Sequence, residues 1–407
     1  MILKIRFPVY IVVGCLLLIV GCKPKEEAML DVIQRSMNVA IQQSKAMAKI
    51  LNVSDTILPR STDPLTGTLI TTNSRWWCSG FYPGTLWYLY EYSQDTAVKT
   101  LAKQYTARIE REKFTTDNHD VGFMLYCSFG NGLRLNGNAS YPEVLSTGSN
   151  SLVTRFNPKV GLIRSWDFKK DKWQYPVIID NMMNLELLLW KFKNSGDSNY
   201  YKIADSHAKK TMENHYRSDN SCYHVVSYDT INGLPHHKQT WQGAADTSIW
   251  ARGQAWGLYG YTMMYRETKQ ACFLEMANKI ATLMIDHPNM PKDMIPYWDY
   301  LAPKIPNEPR DASAAAIMAS TLIELSGYVN EALKDKYLQV AQTQLRILSS
   351  PEYLAVPGTN GNFILKHSVG SKPHNSEVDV PLTYADYYFV EALVRLKEQL
   401  EPVSNTL

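Results

Sequence analysis

Two aspartates stand in sequence surroundings where ordinary packing does not explain a carboxyl group. Asp120 lies in the run H-D-V-G-F (119–123), and Asp180 interrupts the apolar run P-V-I-I-D-N-M-M-N-L-E-L-L-L-W (176–190). An unpaired buried carboxylate is costly, so it shifts its pKa or finds a partner. Two carboxyls in unlike surroundings, one dry and one polar, can act as acid and base at neutral pH. The pair therefore suggests a carbohydrate-active enzyme, which the rest of the chain can test.

Each aspartate also has a structural interpretation. Asp180 and Asn184 are four residues apart and would share one face of a helix, at whose start Asp180 could act as a cap or a dipole partner. Asp120 could cap a helix that begins at Val121. The apolar flanks favour catalysis for Asp180, whereas the case for Asp120 depends on the partner that it finds.

A second group of polar and aromatic residues follows further along the chain. In W-A-R-G-Q-A-W (250–256), Trp250, Arg252 and Gln254 alternate with small residues that allow close approach of a ligand or a neighbouring element, and Trp256 ends the run. Arginine offers a planar fork to a carboxylate, although core tryptophans around a buried ion pair are the alternative. His224 lies in the predicted hairpin that leads to W-Q-G (241–243), which contains Gln242. A single histidine is more often a hydrogen-bonded structural residue than a functional one. No histidine cluster has metal-ligand spacing, so we expect neither a metal nor a cofactor.

The elements that must position these residues are repeated helix pairs. An apolar helix is followed by a short polar turn and then by an amphipathic helix, and Asp95 and Asp197 stand where N-caps of second helices belong. Apolar helices are buried and amphipathic ones cover them. About twelve helices in six hairpins predict an all-α fold, an (α/α)6 toroid or barrel. The helices are Ala28–Leu51 at the start, Phe81–Tyr92 with the helix from Thr96, Val121–Leu135 with Pro142–Thr154, Val177–Phe192 with 198–210, Ile249–Tyr265 with Ala271–Ile285, Ala312–Leu325 with Glu331–Leu348, and Leu382–Leu396.

The toroid would bring distant residues to one mouth. Trp77, Asp120, Asp180, the 250–256 run and Asp311 all fall near the starts of the apolar helices, and these starts share one end of the ring. The main non-helical piece is residues 222–241, whose alternation around Asn232-Gly233 predicts a small β-hairpin insertion with a type I′ turn.

The N-terminus predicts export. Residues 1–21 have the charges and short apolar core of a signal peptide, and I-V-G-C (19–22) resembles a bacterial lipobox. We therefore expect a lipoprotein signal peptide at 1–21, a lipidated Cys22 with a short tether at 22–27, and one catalytic domain at 28–407. The protein would be a lipoprotein of the bacterial cell envelope, periplasmic or attached to the outer membrane, that meets the membrane only through its lipid anchor.

Charge and cysteine content narrow the function further. Removal of residues 1–21 leaves 40 basic against 39 acidic residues, which argues against a nucleic-acid partner. The remaining cysteines, Cys78, Cys127, Cys222 and Cys272, lack metal-site or redox spacing and are expected to be structural, and their pairing is left open.

Taken together, the motifs resemble the unsaturated glucuronyl hydrolases, glycoside hydrolase family 88. The resemblance spans nearly the whole mature chain in order, through W-C-S-G-F-Y-P-G-T-L-W-Y-L-Y-E (77–91), H-D-V-G-F (119–123), I-I-D-N-M-M-N-L (178–185), Y-H-V-V-S-Y-D (223–229), W-Q-G-A-A-D-T-S-I-W-A-R-G-Q-A-W-G-L-Y-G (241–260), Y-W-D-Y (297–300), R-D-A-S-A-A-A-I (310–317) and A-D-Y-Y-F-V-E-A-L (385–393). The family fold is an (α/α)6 barrel, which agrees with the helix pairs.

The resemblance implies the reaction and the roles. Family members hydrate the 4,5-double bond of the unsaturated uronate that polysaccharide lyases leave at the non-reducing end, and the ring then opens and releases the neighbouring sugar. By motif position Asp180 is the general acid and Asp120 the second essential carboxylate. His119 and His224 lie around the sugar, and the resemblance makes Trp77, Gln242, Trp250, Arg252 and Trp256 substrate contacts.

The identity of the glycan stays open. Ser368, Ser371 and Lys372, in the polar loop 366–376, could hold a sulfate, or the loop could simply be solvated. Glycosaminoglycan disaccharides, of the heparin or chondroitin type, are the expected substrates. The alternatives are an unsaturated rhamnogalacturonyl hydrolase on pectin fragments and a non-catalytic surface glycan-binding lipoprotein.

Overall fold

The computed structural model describes residues 27–401. Its helices are α1 Met29–Leu51, α2 Phe81–Ser93, α3 Thr96–Ala107, α4 Val121–Leu125, α5 Asn131–Asn136, α6 Tyr141–Val153, α7 Leu185–Ser195, α8 Ser198–His215, α9 Ala251–Thr268, α10 Ala271–Asp286, α11 Ala312–Ser326, α12 Glu331–Leu348 and α13 Thr383–Leu400. The predicted signal peptide, Cys22 and most of the tether lie outside the described residues, and the domain boundary at residue 28 stays a prediction.

The helices form two concentric rings. The inner ring consists of α2, α4 with α5, α7, α9, α11 and α13, and it closes because α13 packs against both α11 and α2. The outer ring consists of α1, α3, α6, α8, α10 and α12. The predicted helix Val121–Leu135 is one inner element, which a π-helical turn at Tyr126–Gly130 divides into α4 and α5. The expected six-hairpin toroid is therefore present.

Local sequence explains why these helices begin and why the inner ones are buried. Asp95 accepts hydrogen bonds from the amides of Ala97 and Val98, and Asp197 accepts one from the amide of Asn199, which confirms both predicted caps. Helix α11 is rich in alanine, a strong helix former, and all its residues except Glu324 are buried.

Small antiparallel sheets lie in the segments that connect the helices. They are β1 Leu58–Thr62 with β2 Leu69–Thr72, β3 Phe156–Asn157 with β4 Leu162–Ile163, the three-stranded sheet β5 Pro176–Ile178, β6 Val225–Tyr228 and β7 Pro235–Gln239, and β8 Ser368–Ser371 with β9 Ser376–Val380. Strand β6 is central in its sheet and pairs Val226 with Val177 and with Lys238. The predicted hairpin thus exists as part of a larger sheet.

Two local predictions were wrong. The helix expected from Val177 begins only at Leu185, because residues 176–178 pair with β6 and residues 179–184 form a 3-10 turn. The hairpin turn is not type I′, since that turn needs positive φ at both central residues and, within this loop, only Gly233 has it. The Asp229 side chain, which accepts a hydrogen bond from the Ile231 amide, organises the loop instead.

The described cysteines Cys78, Cys127, Cys222 and Cys272 are free thiols. No helix within residues 27–401 combines the length and the apolar character that crossing a bilayer requires.

A network of ion pairs and hydrogen bonds connects neighbouring inner helices. It runs from α5 through α2, α13, α11 and α9 to α7, by way of Arg134–Glu91, Tyr88–Glu391, Arg395–Glu324, Arg266–Glu324 and Arg266–Glu186. Glu324 is the junction because it binds two guanidinium groups at 2.8 and 3.0 Å. Burial alone would raise its pKa, but Arg266 and Arg395 outweigh burial and lower it.

We expect Glu324→Gln to destabilise the fold by about 2 kcal/mol, because it leaves two partly buried guanidinium groups short of a counter-charge. Urea unfolding followed by circular dichroism would measure the loss. Glu331→Gln is the control, since Glu331 pairs with Lys334 on the surface and its side chain is 82% exposed. Equal stability of the two variants would contradict a structural role for the network.

Candidate active site

A cavity of about 700 Å³ opens where the inner helices begin. Seven of the residues predicted from sequence line it: Trp77, His119, Asp120, Asp180, Gln242, Arg252 and Ser371. The predicted convergence of distant segments on one mouth is therefore observed. A second cavity, of about 330 Å³, lies among the paired charges of the inner-helix network and shares no lining residue with the first.

The two aspartates are placed by backbone turns and do not serve as side-chain caps. Asp180 occupies the 3-10 turn between β5 and α7, and its Oδ2 atom has no hydrogen-bond partner among the described residues. Asp120 immediately precedes α4, but its side chain makes no capping hydrogen bond. Instead of completing a shared helical face with Asp180, Asn184 accepts a hydrogen bond from the Phe123 amide at 2.8 Å. The structural interpretations of both carboxyls are therefore not supported.

Burial raises the pKa of both carboxyls. Burial lifts the pKa of Asp180 to about 7, although Arg252 and the nearby Trp256 indole oppose the rise. Burial and the charge of Asp180 together raise the pKa of Asp120 to about 8, against the opposing effect of Arg155. Because the two groups interact, they titrate as a pair, and the pair retains a proton near neutral pH.

Two neutral histidines flank the pair. His224 Nε2 lies 3.6 Å from Asp180 Oδ2, and His119 Nε2 lies 3.3 Å from Asp120 Oδ1. The Nδ1 atom of His224 accepts the amide hydrogens of Trp241 and Gln242, both at 3.1 Å, so its proton is on Nε2 and faces Asp180. Burial, with the help of nearby arginines, lowers the pKa of both histidines, that of His119 to about 3.

The Arg252 side chain fixes strand β8 at one side of the cavity. Its guanidinium donates to the carbonyl oxygens of Val369 and Gly370, the latter at 2.5 Å, and lies 3.4 Å from Asp311. Gln242 donates to the same Gly370 carbonyl at 3.1 Å. The arginine predicted as a substrate contact is thus also the anchor of strand β8.

The predicted tryptophans differ in their exposure to the cavity. Trp77 lines it and packs against Tyr384, with ring centroids 4.9 Å apart. Trp250 and Trp256 are not among the lining residues. Trp250 packs on the His224 ring at 4.5 Å, and Trp256 is fully buried below the cavity. These two tryptophans therefore pack behind the residues that line the cavity.

The three residues predicted to hold a sulfate do not converge. Ser371 lines the cavity and its hydroxyl hydrogen-bonds His374 Nδ1 at 2.7 Å. Ser368 is fully buried. Lys372 is not a lining residue, and its Nζ lies 3.8 Å from a carboxylate oxygen of Glu308. The geometry does not assemble Ser368, Ser371 and Lys372 into one anion site.

Sequence reasoning missed much of the cavity wall. Trp166, Phe168, Trp241 and His374 line the cavity, and the rings of Trp241 and His374 pack with a tilt of 45° and centroids 4.2 Å apart. The segment W-D-F-K-K-D-K-W (166–173) is rich in aromatic and basic residues, and this composition could have indicated a wall of the site. Within residues 27–401, no group of three or more histidine, cysteine, aspartate or glutamate residues could hold a metal ion.

A closed ring of six helix pairs, with a carboxyl pair of raised pKa in a cavity lined partly by aromatic rings, is suited to a glycan-hydrolysing enzyme. Residues 49–398 match the model of Glycosyl Hydrolase Family 88, and the chain belongs to this family. Its activity is that of an unsaturated glucuronyl hydrolase.

Individual relatives agree with this assignment. An unsaturated glucuronyl hydrolase of Formosa agariphila is 48% identical over 323 residues, which cover 79% of this chain and 80% of that protein. An unsaturated chondroitin disaccharide hydrolase of Streptococcus pneumoniae is 34% identical over 78% of this chain and 81% of its own. The crystal structure of an unsaturated glucuronyl hydrolase specific for heparin has a TM-score of 0.88 and 47% identity, and the match covers 92% of this chain and 98% of that one.

The raised pKa values predict a pH-dependent stability. A carboxyl whose pKa is higher in the folded than in the unfolded state stabilises the protein below about pH 4 and loses that contribution as the pH rises through its folded value, about 7 for Asp180. Asp180→Asn should therefore gain a few kcal/mol over the wild type between about pH 5 and about pH 9, at roughly 1.4 kcal/mol per pKa unit. Chemical unfolding at both pH values would measure the gain.

The matched control is Asp117→Asn, which changes a carboxyl of the same cavity whose side chain is 55% exposed and paired with Arg75. Its stability should follow the wild-type curve. A wild-type protein whose stability relative to Asp180→Asn does not change with pH would show that Asp180 ionises freely.

Proposed function

We propose that this enzyme hydrates the 4,5-unsaturated uronate of lyase-generated glycosaminoglycan disaccharides, with Asp180 as the proton donor. The observation that carries the proposal is the carboxyl pair, which lines one cavity and whose raised pKa values keep a proton on the pair near neutral pH. Protonation of an electron-rich C=C bond needs such an acid. Relatives act on heparin and on chondroitin disaccharides, which supports a glycosaminoglycan substrate.

The reaction follows from the chemistry of the vinyl ether. The Asp180 carboxyl gives its proton to C4, and positive charge develops at C5 and the ring oxygen. Water adds to C5 and returns a proton to the Asp180 carboxylate, so the acid is regenerated. The C5 hemiketal then opens at the ring oxygen, and the hemiacetal left at C1 expels the neighbouring sugar. Because bond cleavage follows hydration, the carboxyl-spacing rule for retaining and inverting glycosidases does not apply.

The flanking groups have distinct parts in this scheme. The Nε2–H of His224 faces Asp180 and can stabilise its carboxylate after proton transfer. Asp120, with neutral His119 beside it, keeps the proton on the pair and orients the sugar. Trp77 offers an aromatic face on which the apolar face of a sugar ring can stack. The reaction that supplies the substrate is β-elimination by a polysaccharide lyase.

We expect Asp180→Asn to lower kcat by about 10³-fold, because the amide cannot deliver the proton, while disaccharide binding is largely kept. Loss of the near-ultraviolet absorbance of the conjugated uronate measures turnover, and calorimetry measures binding. Asp117→Asn should retain most of the activity. Substantial hydration by Asp180→Asn would remove Asp180 from its role, and tight binding without turnover by the wild type would favour a non-catalytic glycan-binding protein.

We also propose that the chain is a lipoprotein of the bacterial cell envelope, anchored through Cys22. The support is I-V-G-C after a short apolar run with preceding basic residues. In a bacterial host that lipidates exported proteins, Cys22→Ala should move the protein from the membrane to the soluble fraction and abolish incorporation of labelled fatty acid. Cys15→Ala, inside the signal peptide, should change neither. A membrane-bound, unlabelled wild type would contradict lipidation.

A further inference from the structure

Asp120 occupies the N-cap position of α4 but does not act as a cap. Three other aspartates that precede helices, Asp95, Asp197 and Asp311, are extended, with ψ between 94° and 114°, and each accepts an amide hydrogen of its own helix. Asp120 has a ψ of 9° and makes no such bond. A carboxylate that accepts helix amides is stabilised in its charged form, so its pKa falls. The conformation of Asp120 avoids that fall.

The helix amide that Asp120 leaves free is bonded by a residue of another segment. The first amides of a helix have no partner within the helix. In α4 the amide of Phe123, the third residue, donates to Asn184 Oδ1 at 2.8 Å. Asn184 is fully buried and ends the 3-10 turn that carries Asp180. A side chain from the turn of one carboxyl therefore caps the helix that follows the other.

The two segments approach each other closely at this bond. Gly122 precedes Phe123, and a Cβ atom there would lie 2.5 Å from Asn184 Cα and 2.7 Å from Asn184 Oδ1. Only a glycine at this position lets the Asn184 side chain reach the Phe123 amide. Asn184 Nδ2, by contrast, has no hydrogen-bond partner among the described residues. The oxygen of Asn184 is therefore the atom that joins the 3-10 turn to α4.

The charged and titratable groups around Asp120 come from several segments. Burial has the largest effect on the pKa of Asp120, Asp180 adds to the rise, and Arg155, which follows α6, opposes it. The other groups that face Asp120 or line the same cavity are His119, Cys78, Arg60, Arg252 and Glu377. A hydrogen bond from the Phe123 amide would further oppose the rise if Asn184 did not occupy that amide.

We infer that Asn184 is a positioning residue for the carboxyl pair: it caps α4 in place of Asp120 and so keeps the Asp120 carboxyl directed into the cavity beside Asp180. The inference rests on the part proposed above for Asp120, and it adds a residue that does not itself line the cavity. Asn184 acts through the Phe123 amide. Without Asn184, the Asp120 carboxylate can accept that amide, as the capping aspartates of the other helices do.

The experiment titrates Asp120 directly by nuclear magnetic resonance, in protein labelled with carbon-13 at the aspartate carboxyl carbons. Loss of a signal in Asp120→Asn assigns the Asp120 resonance. In Asn184→Ala the titration midpoint of Asp120 should fall by about one pH unit, the size expected for a hydrogen bond to a charged group. The alkaline limb of kcat/KM on an unsaturated disaccharide should move to lower pH, because the pair loses its last proton earlier.

Asn184→Asp is the rescue variant. It keeps an oxygen at the Phe123 amide, and the nitrogen that it replaces has no bonding partner among the described residues, so the cap is retained and the Asp120 midpoint should not fall.

Asn131→Ala is the matched control. Asn131 is a buried asparagine of α5 that donates to the Cys127 carbonyl at 3.0 Å and to the Tyr387 hydroxyl at 3.2 Å. Loss of these bonds should leave the Asp120 midpoint unchanged.

Three results would overturn the inference: an unchanged Asp120 midpoint in Asn184→Ala, an equal fall in Asn131→Ala, or an equal fall in Asn184→Asp. If circular dichroism shows that Asn184→Ala does not fold, Asn184→Ser gives the same comparison, because its hydroxyl is one bond shorter than the amide oxygen. Failure of the wild type to hydrate any unsaturated disaccharide would instead overturn the proposed function. That failure would leave the titration in force, since the titration does not depend on turnover.

Discussion

The structure depends on keeping two neighbouring carboxyl groups out of water at the mouth of a helical ring. Burial is the main reason that the pKa values of Asp120 and Asp180 are raised, and the charge of Asp180 adds to the rise at Asp120. Limited access of water to the two carboxyls requires a closed ring of helices whose interior is filled by packed side chains. Trp256 and Phe123, with ring centroids 5.2 Å apart, supply part of this packed interior beneath the cavity. An open or flooded mouth would return both carboxyls to ordinary acidity.

The two cavities of the ring differ in whether their polar groups have bonding partners. In the smaller cavity Arg266 and Arg395 each contact carboxylates directly, so the charges stabilise the packing of the inner helices. At the mouth, by contrast, Asp180 Oδ2 and His224 Nε2 lack hydrogen-bond partners among the described residues. Unsatisfied buried polar groups are costly, and such groups in a folded protein mark places where function outweighs local stability.

Local sequence was sufficient for features that local interactions create. The caps Asp95 and Asp197 and the alternation of buried and amphipathic helices need only neighbours along the chain, and the (α/α)6 ring follows from them. The turn that holds Asp180 could not be read locally, because its extended start is fixed by pairing with β6, nearly fifty residues later. The wall segment 166–173 likewise lacks periodicity, and only tertiary packing brings Trp166 beside His224. Family resemblance named candidate residues, whose roles stay predictions, but it did not give these contacts.

One guanidinium links the wall of the cavity to its acid. Arg252 fixes β8 through the carbonyl oxygens of Val369 and Gly370, and the same charge opposes the rise in the pKa of Asp180. The position of this guanidinium is in turn set by Asp311, whose other oxygen caps α11 through the Ser313 amide. A displacement of β8 would therefore change the electrostatic field at Asp180 as well as the shape of the cavity. Among the described residues, Arg252 is the cation whose charge lowers the pKa of Asp180, so the placement of β8 and the acidity of Asp180 depend on the same side chain.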